Sequence, residues 1–361
     1  MLVPLSWLKE YVEIDIPPEE LGEMLTMAGL ELEALHYRGK EIDNIIVARI
    51  TEVRKHPNAD RLSLCEVTDG TNSYNIVCGA DNMKANDVVA LAPIGAKLPP
   101  TEKFPDGLKI KKTKIRGEVS EGMLCAENEL GLSDQSEGIM ILSDNLSLGA
   151  KLVDELSLDE VVFEIAVTPN RPDCLSILGI AREVGSILGK KLKTPDFKIK
   201  ESKNDTSKLV NVDIKDPAGC PRYTCRVIED VSIEPSPDWL KNRLEAAGIR
   251  SINNVVDITN FVLLELGQPL HAFDFDLLKE KKINIRFANN GELISTLDGQ
   301  ERKLTDKDIV ICDADKPVAL GGVMGGLNTE VNEKTKSVLL ESAYFNPVTI
   351  RKTSKRTGLK S

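Results

Sequence analysis

ARITEVRKHPNADRLSLCEVTDG, residues 48–70, reads as a strand, a tight polar turn and a second strand. The first strand runs out at His56-Pro57-Asn58-Ala59-Asp60 and the second at Asp69-Gly70. Proline fixes φ, and Asn, Asp and Gly accept the backbone conformations that tight turns need, so the chain reverses at both places. The first turn sets His56 and Asn58 at the rim of the sheet the strands build. Short apolar runs of the same kind recur at 45–53 (IIVARITEV), 74–80 (YNIVCGA), 88–94 (VVALAPI), 108–115 (LKIKKTKI) and 138–142 (GIMIL), with turn signals between them. Five or six short strands at this spacing predict a small β-barrel or sandwich over about 42–143.

The flanks have a different texture. In 1–38, Pro17-Pro18 opens a helix in which Leu21, Met24, Leu25 and Ala28 recur at helical spacing, and Gly29 stops it. LSILGIAREVGSILG, 175–189, has the same rhythm and ends on Gly189. A Lys-, Ser- and Asp-rich linker falls near 195–208. Beyond it, RYTCRVIEDV (222–231) reads as a strand, and Ser236-Pro237-Asp238 as a helix start with Ser236 as the capping hydroxyl. Asn253 or Asn254 caps a second helix, which Gly267 ends, and further strands follow around INIRFA, DIVICD, VALGGVM and SVLLESA. The expected architecture is an α+β multidomain chain. A barrel over 39–150 is inserted in a small α+β domain made of 1–38 and 151–200, and a second α+β domain covers 205–361.

Composition narrows the function. The chain has 361 residues, 41% hydrophobic and 29% charged, and no apolar run near the roughly 20 residues that span a bilayer. The N-terminus lacks the basic region and cleavage site of a secretory signal. Seven scattered Cys without a C-x-x-C fit neither a disulfide framework nor a zinc site, and point to a reducing cytoplasm. Three His exclude a His-rich metal site, so no metal ligands are expected. A net charge of −11 argues against a general nucleic-acid coat, but not against a local stripe. Residues 103–116 carry six basic side chains and one acidic, and 351–360 carry five basic and none acidic. Each run is either a solvated face or flexible end, or a phosphate-binding surface.

The motifs carry a resemblance. Residues 48–70 with IVCGADN (76–82) and IRGEVSEGMLCAENELGL (115–132) resemble the OB-fold tRNA-binding domain appended to aminoacyl-tRNA synthetases and their cofactors. OB folds bind nucleic acid on one barrel face by charge and stacking, which gives Lys109, Lys111, Lys112, Lys114 and Arg116 a purpose. Strand alternation would put Lys112 and Lys114 on one face and Lys109 and Lys111 on the other. Aromatics are scarce there (Tyr74 and Phe104), so shape and phosphate contact are expected rather than base reading. FEIAVTPNRPDCLSILGIAREV (163–184), a turn into a helix that Asp173 caps, adds a resemblance to the interrupted N-terminal domain of the bacterial phenylalanine–tRNA ligase β subunit. SINNVVDITNFVLLELGQPLHAFDFDLL (251–278) resembles that family's editing domain, known as B3/B4, in which the residues matching His271, Thr259 and Asn260 line the site that hydrolyses mischarged Tyr-tRNA. In VALGGVMGGLNTEVNEKTKSVLLESAYFNP (318–347), GGVMGG lacks the Gly-Lys-[Ser/Thr] of a phosphate loop. The family's residues matching Gly322 and Gly325 shape the editing pocket, and the one matching Glu341, here read as ending an apolar strand, recognises the tyrosine hydroxyl.

The resemblance implies a cytoplasmic (αβ)2 ligase of protein biosynthesis. Its α subunit joins phenylalanine to ATP and then to tRNA(Phe), with magnesium, while this chain binds no cofactor itself and corrects errors. No adenylation motif is present. Family members continue well past Ser361, so the editing pocket is expected to be incomplete. A free-standing trans-editing deacylase and a non-catalytic tRNA-binding module stand beside this reading.

Overall fold

The structure, a computed structural model, describes residues 1–39, 42, 44–102, 104–133, 136–156, 158–195 and 197–359. It is α+β throughout and divides into two compact units, Met1–Glu33 with Glu164–Ser361, and Ala34–Phe163.

In the unit Ala34–Phe163, antiparallel strands follow the order Gly122–Leu124, Val88–Pro93, Ile46–Lys55, Ser63–Thr68, Ser73–Cys78, with Ile141–Leu142 also paired to Val88–Pro93. The two ends of this order meet. The Glu121 N–H donates to the Asn75 carbonyl (2.8 Å) and the Val77 N–H to Ser120 Oγ (3.0 Å), which nearly closes the sheet into a barrel. Val88–Pro93 is apolar on both faces because both are covered. Val89 and Leu91 join Ile50, Val67 and Ile76 in one core cluster, while Val88, Ala90 and Ala92 join Val47, Leu98 and Ile110 in another. A register shift between Ile50 and Glu52 bends the long strand Ile46–Lys55, as a bulge does.

Among the remaining strands, a three-stranded sheet has the order Leu2–Pro4, Val161–Ala166, Glu31–Tyr37. A five-stranded sheet follows the order Asn211–Ile214, Lys282–Phe287, Ile309–Cys312, Pro317–Leu320, Met324–Gly325, and a second three-stranded sheet sets Val338–Tyr344 between Arg222–Ile228 and Leu270–Asp274. The N-terminal helix Leu5–Tyr11 packs on the helix Asn254–Leu266. Trp7, on the helix Leu5–Tyr11, stacks on Phe261 with centroids 4.8 Å apart, and the Tyr11 hydroxyl donates to Glu265. The first and last thirds of the chain are thus joined by aromatic packing that no local pattern announces.

Helix ends correct two expectations. The helix Asp238–Ala246 has Pro237 at its N-cap and no side-chain cap; the Ser236 hydroxyl donates instead to the fully buried Asp257. Asp257 also accepts from the Ser251 hydroxyl and the Ile252 N–H (2.9 Å), so its three acceptor bonds satisfy a buried carboxylate. The helix Ile177–Leu188 is capped by Ser176, whose Oγ accepts the Gly179 N–H (3.0 Å), and not by Asp173, which pairs with Arg171. Asn253 does cap Asn254–Leu266, accepting from Val255 and Val256, and Gly189 and Gly267 end their helices at positive φ.

The basic segment 351–360 lies mostly in the helix Pro347–Thr357, capped by Asn346 and docked on Asp308 through Thr353 Oγ1 (2.8 Å) and Arg356; Lys360 is outside the described residues. All seven cysteines are free thiols. Among the described residues no helix is long and apolar enough to cross a membrane.

Candidate functional site: a buried His–Glu cluster and a basic barrel rim

Val338–Tyr344 is the central strand of its sheet, between Arg222–Ile228 and Leu270–Asp274. Glu341 lies in its middle, not at its end as the sequence suggested, directly opposite Cys225 on one neighbour and His271 on the other. Opposed residues of antiparallel strands project to the same face, as do residues two apart. Tyr223, Cys225, Glu341, His271, Phe273 and Leu339 therefore share one face. Its apolar members pack with Ile283, Ile285, Ile309, Ile311 and Val318 of the five-stranded sheet.

Glu341 is 6% exposed, and burial pushes its carboxyl up to about 8, although the Tyr223 hydroxyl, donating to Oε2 at 3.2 Å, favours the ionised form. Burial pulls His271 down to about 4. Near pH 7 the site therefore holds a mostly protonated carboxyl beside a neutral imidazole. The His271 ring meets Phe273 edge-on at 4.5 Å. It also fills the space over Gly325, where a Cβ would lie 2.4 Å from Cε1 and 2.7 Å from Nε2. Gly322, at φ +66°, has Phe345 and Ile350 where its own side chain would be.

The structure thus brings His271, Glu341 and Gly325 together. Thr259 and Asn260 sit on the helix Asn254–Leu266, whose Val255 packs with Ala272 and Val338, side chains that leave the sheet on the face away from Glu341. The buried Thr259 returns its hydroxyl to the Val256 carbonyl (2.6 Å). Among the described residues, neither Thr259 nor Asn260 hydrogen-bonds to His271 or Glu341. An open cleft of ≈ 530 Å³ lined by Ile233, Pro235, Ile252, Asn253 and Lys334 includes none of these groups. Sequence reasoning missed Tyr223 and Cys225. Both their strand and the one that carries Glu341 were legible, but the pairing of the two across 118 residues was not.

On the barrel, Lys109, Lys111, Lys112, Lys114 and Arg116 are all exposed, but they do not form one strand. Lys109 is on the ribbon Lys97–Leu98/Leu108–Lys109, and Lys114 on the ribbon Thr113–Ile115/Glu118–Ser120. The buried Ile110 and the irregular stretch after it break the alternation expected for the lysines. Lys112 is held by Glu121 (2.9 Å). Lys97, which the sequence did not single out, stands directly opposite Lys109, and two like charges opposed across strands repel. Arg116 turns the second ribbon at φ 50° next to Gly117. The His56 turn braces that hairpin. His56 Nδ1 accepts the Asn58 N–H (3.0 Å), so Nε2 carries the proton donated to the Ile115 carbonyl (3.2 Å), and Asn58 Nδ2 donates to the Arg116 carbonyl (3.3 Å). Tyr74 is tied through its hydroxyl to Asp69 (2.7 Å) and Phe104 packs on the barrel core.

Known proteins are similar to this chain in sequence. A family model described as a B3/4 domain matches residues 219–361, and one described as a putative tRNA binding domain matches 45–151. The chain is 54% identical over 359 residues to the phenylalanine–tRNA ligase beta subunit of Geobacter sulfurreducens, covering 99% of this chain and 44% of that one. It is 52% identical to the same subunit of Syntrophus aciditrophicus over the same shares. Over nearly its whole length the chain is similar to phenylalanine–tRNA ligase β subunits. It spans less than half the length of the curated relatives it matches. In Protochlamydia amoebophila the corresponding subunit is 48% identical over 361 residues, 45% of its length.

Members of a ligase family bring ATP and a metal to mind, but the residues described here fit neither. Gly321–Val323 is the turn of a hairpin between Pro317–Leu320 and Met324–Gly325, and only the single 3-10 turn Leu327–Thr329 follows, too short to present the row of N–H groups that holds phosphates. Asp173, Cys174 and Glu183 come within ligating distance of one another, yet the Arg171 guanidinium bonds both carboxylates at 2.8 Å and takes the place a cation would need.

Proposed function

We propose that this chain is the tRNA-binding and editing part of a phenylalanine–tRNA ligase β subunit, and that it hydrolyses mischarged Tyr-tRNA(Phe). The adjacency of His271 to the buried Glu341 supports this most. Tyrosine exceeds phenylalanine by one hydroxyl, and an apolar synthetic pocket rejects an added hydroxyl by only about 10²-fold. A second site that rewards the hydroxyl reverses the selection. A mostly protonated Glu341 offers both an acceptor and a donor to a phenol, whereas a phenylalanine ring leaves it unsatisfied, at a cost of about 1–3 kcal/mol. An imidazole titrating near 4 is a weak general base at neutral pH, so His271 serves as a neutral group that positions water or the terminal ribose.

In this reading, residues 39–150 are the OB-fold tRNA-binding domain, 1–38 with 151–200 the interrupted N-terminal domain, and 205–361 the editing domain. Lys97, Lys109, Lys111, Lys114 and Arg116 contact phosphate, and Thr259, Asn260, Gly322 and Gly325 complete the pocket around a bound aminoacyl end. The α subunit forms Phe-tRNA(Phe) from ATP, phenylalanine and tRNA with magnesium, in a cytoplasmic heterotetramer of two α and two β chains. Identity across the whole chain to subunits named as parts of a ligase favours this over a free-standing deacylase or a non-catalytic module. The test is hydrolysis of pre-formed Tyr-tRNA(Phe) by the assembled ligase. Glu341→Ala should weaken the preference for tyrosine and His271→Ala should slow turnover, with phenylalanine charging intact. Wild-type deacylation in both variants would overturn the assignment.

A further inference from the structure

Glu341 has one hydrogen-bond partner among the described side chains, and that partner is itself a phenol. Tyr223 is 9% exposed, packed with Phe273 and Leu339 in the core between the two sheets, and donates its hydroxyl to Oε2 of Glu341. Tyr223 and Glu341 approach from adjacent antiparallel strands whose register pairs Cys225 with Glu341 and Tyr223 with Ala343. The ring is therefore fixed by a ladder on one side and a packed core on the other, and one carboxyl oxygen is fixed with it.

We infer that Tyr223 is a positioning residue for substrate selection: its hydroxyl holds Oε2 of Glu341, so that Oε1 is presented to the phenol of the amino acid being removed. This rests on the editing role proposed for Glu341. The carboxyl would accept two phenols, one belonging to the protein and one to the substrate. A carboxyl free to rotate in an apolar cavity would meet tyrosine and phenylalanine with less difference, because misaligned hydrogen bonds are weak. The same bond governs ionisation. The groups facing Glu341 are Tyr223, Cys225 and His271, with Cys220 close enough to feel its charge, while the opposite sheet offers only apolar side chains among the described residues of that core. Tyr223 is the one that stabilises the carboxylate, and the carboxylate is the stronger acceptor for a phenol.

The experiment uses the assembled ligase with Tyr223→Phe, Glu341→Ala and wild-type β chains, and measures deacylation of Tyr-tRNA(Phe) and Phe-tRNA(Phe) from pH 6 to 9. The ratio of the two kcat/KM values cancels the general rise of ester hydrolysis with pH. In wild type the ratio should climb as Glu341 ionises. Tyr223→Phe should lower it by about 5- to 30-fold, the size of one hydrogen bond to a charged group, and move the climb to higher pH. Should that variant fold poorly, 3-fluorotyrosine at 223 keeps the ring and strengthens the donor, and should move the climb to lower pH. Loss of tyrosine preference in Glu341→Ala with an unchanged ratio and pH profile in both Tyr223 replacements would overturn the inference alone. Glutamine keeps a donor and an acceptor, as a protonated carboxyl does, so the editing assignment beneath is overturned by an unchanged preference in Glu341→Ala.

Discussion

His271 and Glu341 are direct cross-strand partners, facing the same side of the sheet from Leu270–Asp274 and Val338–Tyr344. Each is held in its neutral form by burial, the carboxyl shifted up and the imidazole down. Two groups that are oppositely charged in water at pH 5–6 therefore stand side by side uncharged, which makes their environment measurable.

Glu341→Gln should stabilise the protein more at alkaline than at acid pH. A carboxyl whose folded value is raised from 4.5 to about 8 binds more protons in the folded chain. Wild-type stability from this group therefore falls as pH rises through that window. Glutamine does not titrate. Denaturant melts at pH 5 and pH 8.5 should show a variant-minus-wild-type difference that grows with pH, and an equal difference at both would place Glu341 in contact with water.

The His271 ring should stay neutral to well below pH 6. Its folded value is lowered to about 4, so it opposes protonation and costs stability as pH falls from 6.5 toward 4. The chain has only three histidines, so imidazole resonances can be assigned by substitution and followed by titration. An inflection for His271 near 6.5 would contradict its burial.

Gly325→Ala should disable editing while largely preserving the fold. The new methyl would overlap the His271 ring, which must swing away. Deacylation of Tyr-tRNA(Phe) should fall at least as far as in His271→Ala. Gly322→Ala has a different cause of damage. Its positive φ and its contact with Phe345 and Ile350 should cost about 1–2 kcal/mol of stability, read as a lower melting midpoint. A harmless Gly325→Ala would mean that the ring is not seated over that backbone.

On the barrel, Lys97→Gln with Lys109→Gln should weaken tRNA binding and reduce the slope of log K against log salt by about 1–2, one phosphate contact each. The pair should not destabilise the barrel, because it relieves a cross-strand repulsion. Lys112→Gln should change the slope less, since Glu121 already neutralises that charge. An equal effect from Lys112 would move the phosphate path onto the Glu121 edge.

The local grammar of the chain was readable in advance. Strands and turns of the barrel, Asn253 as a cap and Gly189 and Gly267 as stops all follow from φ preferences and hydrogen bonds within a few residues. Caps with competing partners were not readable. Ser236 and Asp173 have side chains that can cap, but they lie one and three residues before the N-caps Pro237 and Ser176, and a buried carboxylate in one case and a neighbouring guanidinium in the other takes them.

The sequence by itself determined the order of elements, the two module types and the presence of a histidine and a glutamate suited to ester chemistry, because these depend on side-chain identity and short-range periodicity. Only the tertiary structure decided that Glu341 lies between Cys225 and His271, that Tyr223 holds it, and that Lys97 opposes Lys109. Strand register carries that information. A shift of one residue would turn Glu341 to the other face of its sheet, and what fixes the register is the packing of Phe273, Leu339 and the facing apolar sheet, contacts between segments far apart in the chain. The ionisation of the site follows the same logic, since a carboxyl reaches about 8 through what surrounds it and not through its neighbours in sequence.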